Sequence, residues 1–206
     1  MNVHSIVMPS ATPASPTDDA PRGKRERILD AAVALFAERG YHGTAVPLVA
    51  KAAGVGAGTI YRYFDSKQGL VNELYRREKQ AVTDYVLGAF PFAAPPREQF
   101  HTLFERIVTY ARQNPDAFRF LEHHHHAPYL DEESLALERD VTEYALNYAR
   151  VLKAQGVARD ADEHLFLFLV WGAIVRMMRE SWDGKLELTD RLLEQAEEAC
   201  WQAIKA

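Results

Sequence analysis

Tyr61, Arg62, Tyr63 and Lys67 bring hydroxyl, guanidinium and ammonium donors together over a short stretch of the chain. Donors of these types bind phosphate oxygens, and contacts of that kind position a protein without reading sequence. Just before them stand Ala57, Gly58 and Thr59, small residues that let a helix backbone come close to a partner surface. A second chemically suggestive group is the internal run His123-His124-His125-His126. On a helix, Glu122 and His126 stand four apart and His123 and His126 three apart, so either pair could share a metal ion. A zinc site takes three or four ligands, however, and no cysteine is near. The same histidines also suit the wall of a small-molecule pocket, or a solvated patch with one ring packed on neighbouring aromatics. An enzyme using them with Glu122 or Asp131 has only residue types in its favour, because no nucleophile motif, phosphate loop or role-divided carboxylate pair accompanies them. No cofactor is expected.

The donors need a scaffold, and the segment from Arg27 to Leu70 reads as three short helices. Ile28, Ala32, Leu35 and Phe36 recur at helical spacing, giving the first helix one apolar stripe. Gly40 follows where a left-handed C-terminal cap is wanted. Thr44 stands at the N-cap position of a second helix whose buried side is marked by Leu48, Val49 and Ala52. Pro47 suits its first turn, where the missing amide has no partner to lose. Gly54-Val55 makes a tight turn, and Ala57 to Phe64 forms a third helix, with Ile60 and Phe64 packed inward. A helix, a tight turn and a second helix with small residues at its start is the layout of a major-groove reader.

The strings RILDAAVALFAERGYHGT and AAGVGAGTIYRYFDSKQGL resemble the N-terminal domain of the TetR family of bacterial transcriptional regulators. The family motif A-G-V-x-x-G-T-[LI]-Y-x-[YH]-F-x-x-K-x-x-L is matched at Gly54, Val55, Gly58, Thr59, Ile60, Tyr61, Tyr63, Phe64, Lys67 and Leu70. The resemblance covers roughly a quarter of the chain and implies DNA binding through Thr44, Ala57, Gly58, Thr59, Tyr61, Arg62, Tyr63 and Lys67. Two departures stand out. Pro47-Leu48 replaces a frequent Arg-Asp, and Gly56-Ala57 replaces a frequent Ser-Lys or Ser-Arg. The third helix is therefore poor in side chains able to pair bidentately with bases, which shifts weight onto Thr59, Tyr61, Arg62, Tyr63 and DNA shape.

Charge is distributed accordingly. The whole chain of 206 residues carries a net charge of -5. Residues 22–67 hold eight Lys and Arg against four Asp and Glu (+4), whereas residues 68–206 hold sixteen against twenty-three (-7). A basic head on an acidic body suits a DNA reader. Cys200 is the only cysteine, which excludes an intramolecular disulfide and suits a reducing cytoplasm. The longest apolar run, Leu165 to Val175, is too short to span a bilayer, and the N-terminus does not read as a secretory signal. No membrane role is expected.

Residues 1–21, rich in Pro, Ala, Ser and Thr and without Lys or Arg, read as a flexible arm. After Lys67 a helix runs to about Leu87, with Leu70, Leu74, Val82 and Tyr85 inward, until Phe90 to Pro96 breaks it. Helices follow over Arg97 to Gln113, Asp116 to about His125, Asp131 to Gln155, Asp160 to Trp182 and Thr189 to Lys205. The fold expected is all-α with about nine helices, divided into the arm (1–21), a helix-turn-helix domain (22–67) and an effector-binding and dimerisation body (68–206). The resemblance further implies a homodimer through the last two helices and a ligand chamber in the body. Candidate chamber residues are Phe104, Ile107, Phe118, Leu121, His125, Tyr144, Tyr148, Phe168 and Trp171, which suit an apolar or aromatic effector. The leading functional expectation is a dimeric repressor released from a palindromic double-stranded operator by such a molecule. A metal-responsive regulator using His123 to His126 is the alternative.

Overall fold

The computed structural model describes residues 23–123 and 128–206. Among these residues nine helices and no strand occur: α1 (Lys24–Gly43), α2 (Val46–Ala52), α3 (Ala57–Tyr63), α4 (Lys67–Leu87), α5 (Pro96–Gln113), α6 (Pro115–His123), α7 (Glu132–Ala154), α8 (Glu163–Trp182) and α9 (Asp190–Ile204). The all-α expectation holds, and none of the described helices is long and apolar enough to cross a membrane. The last three helices start slightly later than expected because polar leading residues act as caps, whereas α5 and α6 start one residue earlier, at Pro96 and Pro115. Asp131, Asp162 and Thr189 sit just outside α7, α8 and α9 and accept hydrogen bonds from the backbone N–H of Ser134, His164 and Leu192. The arm of residues 1–21 lies outside the described residues.

Two hydrophobic clusters organise the molecule. In the first, α1 contributes Ile28, Leu29, Ala32 and Phe36, α2 contributes Val46, Val49 and Ala50, and Ile60 and Phe64 close the set from α3 and its end. Leu48 and Ala52, expected on the buried side of α2, are exposed instead. The helix begins at Val46, and its inward stripe of Val46, Val49, Ala50 and Ala53 leaves both on the far side. The second cluster joins α4, α5, α7, α8 and α9 through residues such as Phe100, Phe104, Ile107, Leu152, Phe166, Ile174, Met178 and Ile204. Cys200 is buried in α9, where burial pushes its thiol pKa up. Tyr85, expected inward, is 40 % exposed; Val86 takes the buried place on α4.

Neither cluster stands apart from the other. α4 supplies Leu70, Val71, Leu74 and Tyr75 to the first and Val82 and Val86 to the second. From α6, Phe120 enters the first cluster, with its ring centroid 6.2 Å from that of Phe36, while Phe118 enters the second. Successive aromatic residues on one short helix thus grip both halves.

Candidate nucleic-acid interface and effector cavity

The α2–α3 turn is built by its backbone. Gly54 has φ +65°, a conformation glycine adopts freely, and the amide of Val55 returns to Ala50 O at 2.9 Å. Gly56 then leads into α3, which Ile60 (1 % exposed) and Phe64 pin to the cluster below. The opposite side of α3 faces outward: Ala57, Gly58, Tyr61, Arg62 and Tyr63 are exposed and Thr59 is half-buried. A Cβ placed on Gly58 would meet nothing within 4 Å, so no contact inside the protein requires glycine there. Lys67 opens α4 with its Nζ 4.2 Å from the Tyr41 ring centroid, half-buried, and burial lowers its pKa.

Thr44 departs from expectation. It is the C-cap residue of α1, the N-cap position of α2 falls to Ala45, and no part of Thr44 is exposed. Its hydroxyl donates to Gly40 O at 2.8 Å and Leu35 O at 3.1 Å. Gly40 does take a positive φ of 66°, but its ψ of 179° re-extends the chain, which makes one more turn to Gly43. The threonine ties off that irregular end and cannot touch DNA itself.

Residues 128–131 form a joint that sequence reading missed. Tyr129 stacks on Tyr41 with ring centroids 4.0 Å apart, and its hydroxyl meets His42 Nε2 at 2.6 Å. The carbonyl of Tyr129 accepts from Gln68 Nε2 and Asn72 Nδ2, both at 2.9 Å, and Asn72 Oδ1 accepts from the Asp131 amide at 2.8 Å. Arg76 closes the joint on both carboxylate oxygens of Asp131 at 3.0 Å. Burial of Asn72 among α4's apolar residues is the one sequence-level hint, since a buried amide needs partners. Tyr41 thus carries Lys67 by its ring and Tyr129 by stacking.

Behind this joint the body holds a partly open cavity of about 730 Å³, bounded mainly by α4, α5, α7 and α8. Of the candidate chamber residues, Ile107, Leu121, Tyr144, Tyr148, Phe168 and Trp171 line it. Phe104 and Phe118 do not. Phe104 packs on Phe100 (6.3 Å between centroids), and Phe118 is held between Trp171 and Trp182 (5.7 and 5.9 Å), so both are solid core. His125, and the side chains of the whole run His123 to His126, lie outside the described residues. Among the described residues, no group of three or more His, Cys, Asp and Glu is placed to hold a metal ion.

The polar groups of the cavity were missed. Lys79 Nζ pairs with Glu138 Oε2 at 3.0 Å, and the Tyr75 hydroxyl donates to the same oxygen. Trp171 Nε1 donates to Glu122 Oε2 at 3.0 Å. Burial raises the carboxyl pKa of Glu122, opposed by the Trp171 hydrogen bond and the Lys79 charge, and burial likewise raises that of Glu138. The Lys79 pKa is lowered by burial, against the pull of Glu122. Farther along, Tyr148 donates to Gln99 Oε1 at 3.0 Å, and burial together with Tyr144 pushes its pKa up to about 12. Charged residues on amphipathic helices read as solvated from sequence; only packing shows Lys79 and Glu122 drawn toward the cavity, with Glu138 at its edge.

A helix-turn-helix head with an outward-facing second helix, carried on an all-helical body that holds a cavity, defines a class of DNA-binding transcription factors. Comparison with known proteins gives the family. Residues 28–74 match the family model for "Bacterial regulatory proteins, tetR family", and residues 76–206 match that for "Tetracyclin repressor-like, C-terminal domain". The chain belongs to the TetR family, whose members are non-enzymatic DNA-binding transcription factors. Over 63 residues it is 46% identical to the HTH-type transcriptional repressor KstR2 of Rhodococcus jostii, spanning 30% of this chain and 31% of that protein. Over 57 residues it is 46% identical to the fatty acid metabolism regulator protein of Bacillus subtilis, spanning 28% of this chain and 29% of that protein. The chain therefore spans about a third of the length of these curated relatives. A TetR-family structure from Marinobacter aquaeolei superimposes with a TM-score of 0.79 at 25% identity, covering 88% of this chain and 95% of the other.

Proposed function

We infer that this chain is a dimeric cytoplasmic repressor that binds a palindromic operator and is released by a small apolar or aromatic effector. The observation that carries the reading is the division of labour around the joint at Tyr129. On one side α3 presents Ala57, Gly58, Thr59, Tyr61, Arg62 and Tyr63, with Lys67 at the start of α4; on the other lies the cavity, whose lining includes Leu130, the next residue after Tyr129. Residues 22–67 act as the reading head, residues 68–206 as the sensing and dimerising body, and α4 as the strut they share.

In this reading α3 enters the major groove, its small leading residues allow close approach, and Tyr61, Arg62, Tyr63 and Lys67 bind flanking phosphates. Dimerisation uses α8 and α9. Leu165 and Leu169 are exposed on α8 (46 and 39 %), an apolar edge that a second copy would cover. An effector filling the cavity presses on Leu121 and Leu130, and so on α6 and the joint. That tilts the head and shifts the population away from the DNA-competent spacing, by as much as the effector's differential affinity for the two states. The relatives' names fit the scheme: one is called a transcriptional repressor, the other a regulator of fatty acid metabolism, a chemistry of apolar chains.

The test is fluorescence anisotropy on DNA selected from a random pool, across a salt series. The wild type is expected to select a palindrome, bind it as a dimer and show a steep salt slope. Lys67→Ala is expected to weaken binding to every sequence alike and to reduce the slope by about one unit. Unselective binding, or an unchanged slope in Lys67→Ala, would refute the docking described.

A further inference from the structure

We propose that the cavity takes a lipophilic amine, its protonated nitrogen seated against Glu122 and its apolar body lying among the aromatic walls. The proposal rests on the reading of the cavity as the effector site and names the chemical class of the effector.

The argument is one of charge and solvation. Among the described residues four groups with formal charge line the cavity, one from each of four helices: Lys79 of α4, Glu122 of α6, Glu138 of α7 and Glu163 of α8. Glu163 is paired outside the cavity with Lys153 at 2.9 Å, and Lys79 is paired with Glu138 at 3.0 Å. Among the described residues, Glu122 is left with one neutral donor, the indole N–H of Trp171 at 3.0 Å. A carboxylate partly withdrawn from water is unfavourable unless it is paired and hydrogen-bonded, and the two described partners of this half-buried one, an indole and a lysine already engaged, leave a surplus negative charge. Burial acts on it as expected, holding its carboxyl above the usual carboxylate range.

The headgroup that complements such a site is a cation with N–H donors. A carboxylate or phosphate would place a second negative charge beside Glu122, with no free cation among the described lining residues to receive it. A neutral molecule would leave the surplus where it is. Trp171, Tyr75, Tyr144, Tyr148 and Phe168 line the remainder, and aromatic faces add attraction for a cation while accommodating an apolar tail. A volume of about 730 Å³ lies within the range of pockets for ligands of this size.

The test uses the full-length protein and three probes sharing one chain: n-decylamine, n-decanol and n-decanoate, titrated by calorimetry at neutral pH below their aggregation limits. Decylamine is expected to bind at least tenfold more tightly than decanol, and decanoate most weakly. Glu122→Gln keeps an acceptor for Trp171 and removes the charge, so it should erase the amine's advantage while leaving decanol affinity unchanged, which also shows that the cavity is intact. Glu138→Gln should reduce the advantage too, because it releases Lys79 to pair with Glu122. Tightest binding by decanoate, or an advantage that survives Glu122→Gln, would overturn the amine assignment and leave the cavity as an effector site. Failure of all three probes to bind would overturn the cavity reading, and the assignment with it.

Discussion

Thr44→Val separates two roles that a surface-directed reading of Thr44 would confuse. The change is nearly isosteric and removes only the hydroxyl. In the folded chain that hydroxyl satisfies Gly40 O at 2.8 Å and Leu35 O at 3.1 Å, while the Thr44 amide turns to Tyr41 O instead. The residue is wholly buried, so no water can replace the donor. Leaving a buried acceptor unsatisfied costs about 1–3 kcal/mol. For a chain of this size each kcal/mol lowers Tm by about 2–4 °C, so a loss near 2 kcal/mol corresponds to about 4–8 °C. Thr44→Ser keeps the donor and gives up a buried methyl, about 1 kcal/mol. Urea and thermal unfolding at fixed protein concentration should therefore rank Val below Ser below wild type. Operator affinity, measured well below the transition, should stay within a factor of about two for both variants. A Thr44→Val protein of unchanged stability and reduced DNA affinity would refute the assignment, because it would mean the hydroxyl reaches DNA.

Three further outcomes are expected. Gly58→Ala meets no atom within 4 Å in the free protein and should leave stability unchanged or raise it by up to about 1 kcal/mol, yet weaken operator binding; unchanged DNA affinity would argue against close approach at the start of α3. Leu165→Asp, on the exposed face of α8 and away from the cavity lining, should shift sedimentation toward monomer and with it reduce operator affinity; an unchanged oligomer would move the interface elsewhere. Burial raises the Glu122 pKa, so its protonated form is the one the fold prefers: this contribution is complete below the unfolded-state pKa and is lost as pH rises through the folded-state value. Glu122→Gln, a permanent mimic of the protonated form, should thus be more stable than wild type at neutral pH, with the gap in Tm closing on acidification. Melts at a series of pH values check this, and a gap that widens toward acid would contradict it.

Local chemistry was legible where a residue's own geometry dictates its surroundings. The turn at Gly54 and the punctuation at Phe90 to Pro96 follow from backbone conformations that few residue types supply. So did the outward side of α3, because Ile60 and Phe64 must point to the core and their neighbours on a helix then cannot. Errors arose where one residue type satisfies two geometries. Threonine caps a helix start and equally ties off a helix end, and Thr44 does the latter because Gly40 breaks α1 early. An aromatic residue in the body is equally a wall or a core, and Phe104 and Phe118 are core because flanking rings fill the space around them.

The sequence by itself determined the helices, the head motif and the opposed charges of head and body, since each depends on neighbours within a few turns of chain. Only tertiary structure decided which stripe of α7 borders a void, that Lys79 and Glu122 turn toward it, and that Tyr129 reaches Tyr41. Tyr41 and Tyr129 are far apart along the chain, and their meeting is set by how α1, α4 and α6 pack together. Periodicity tells which residues share a face; it does not tell whether the opposing helices close over that face or stand back from it.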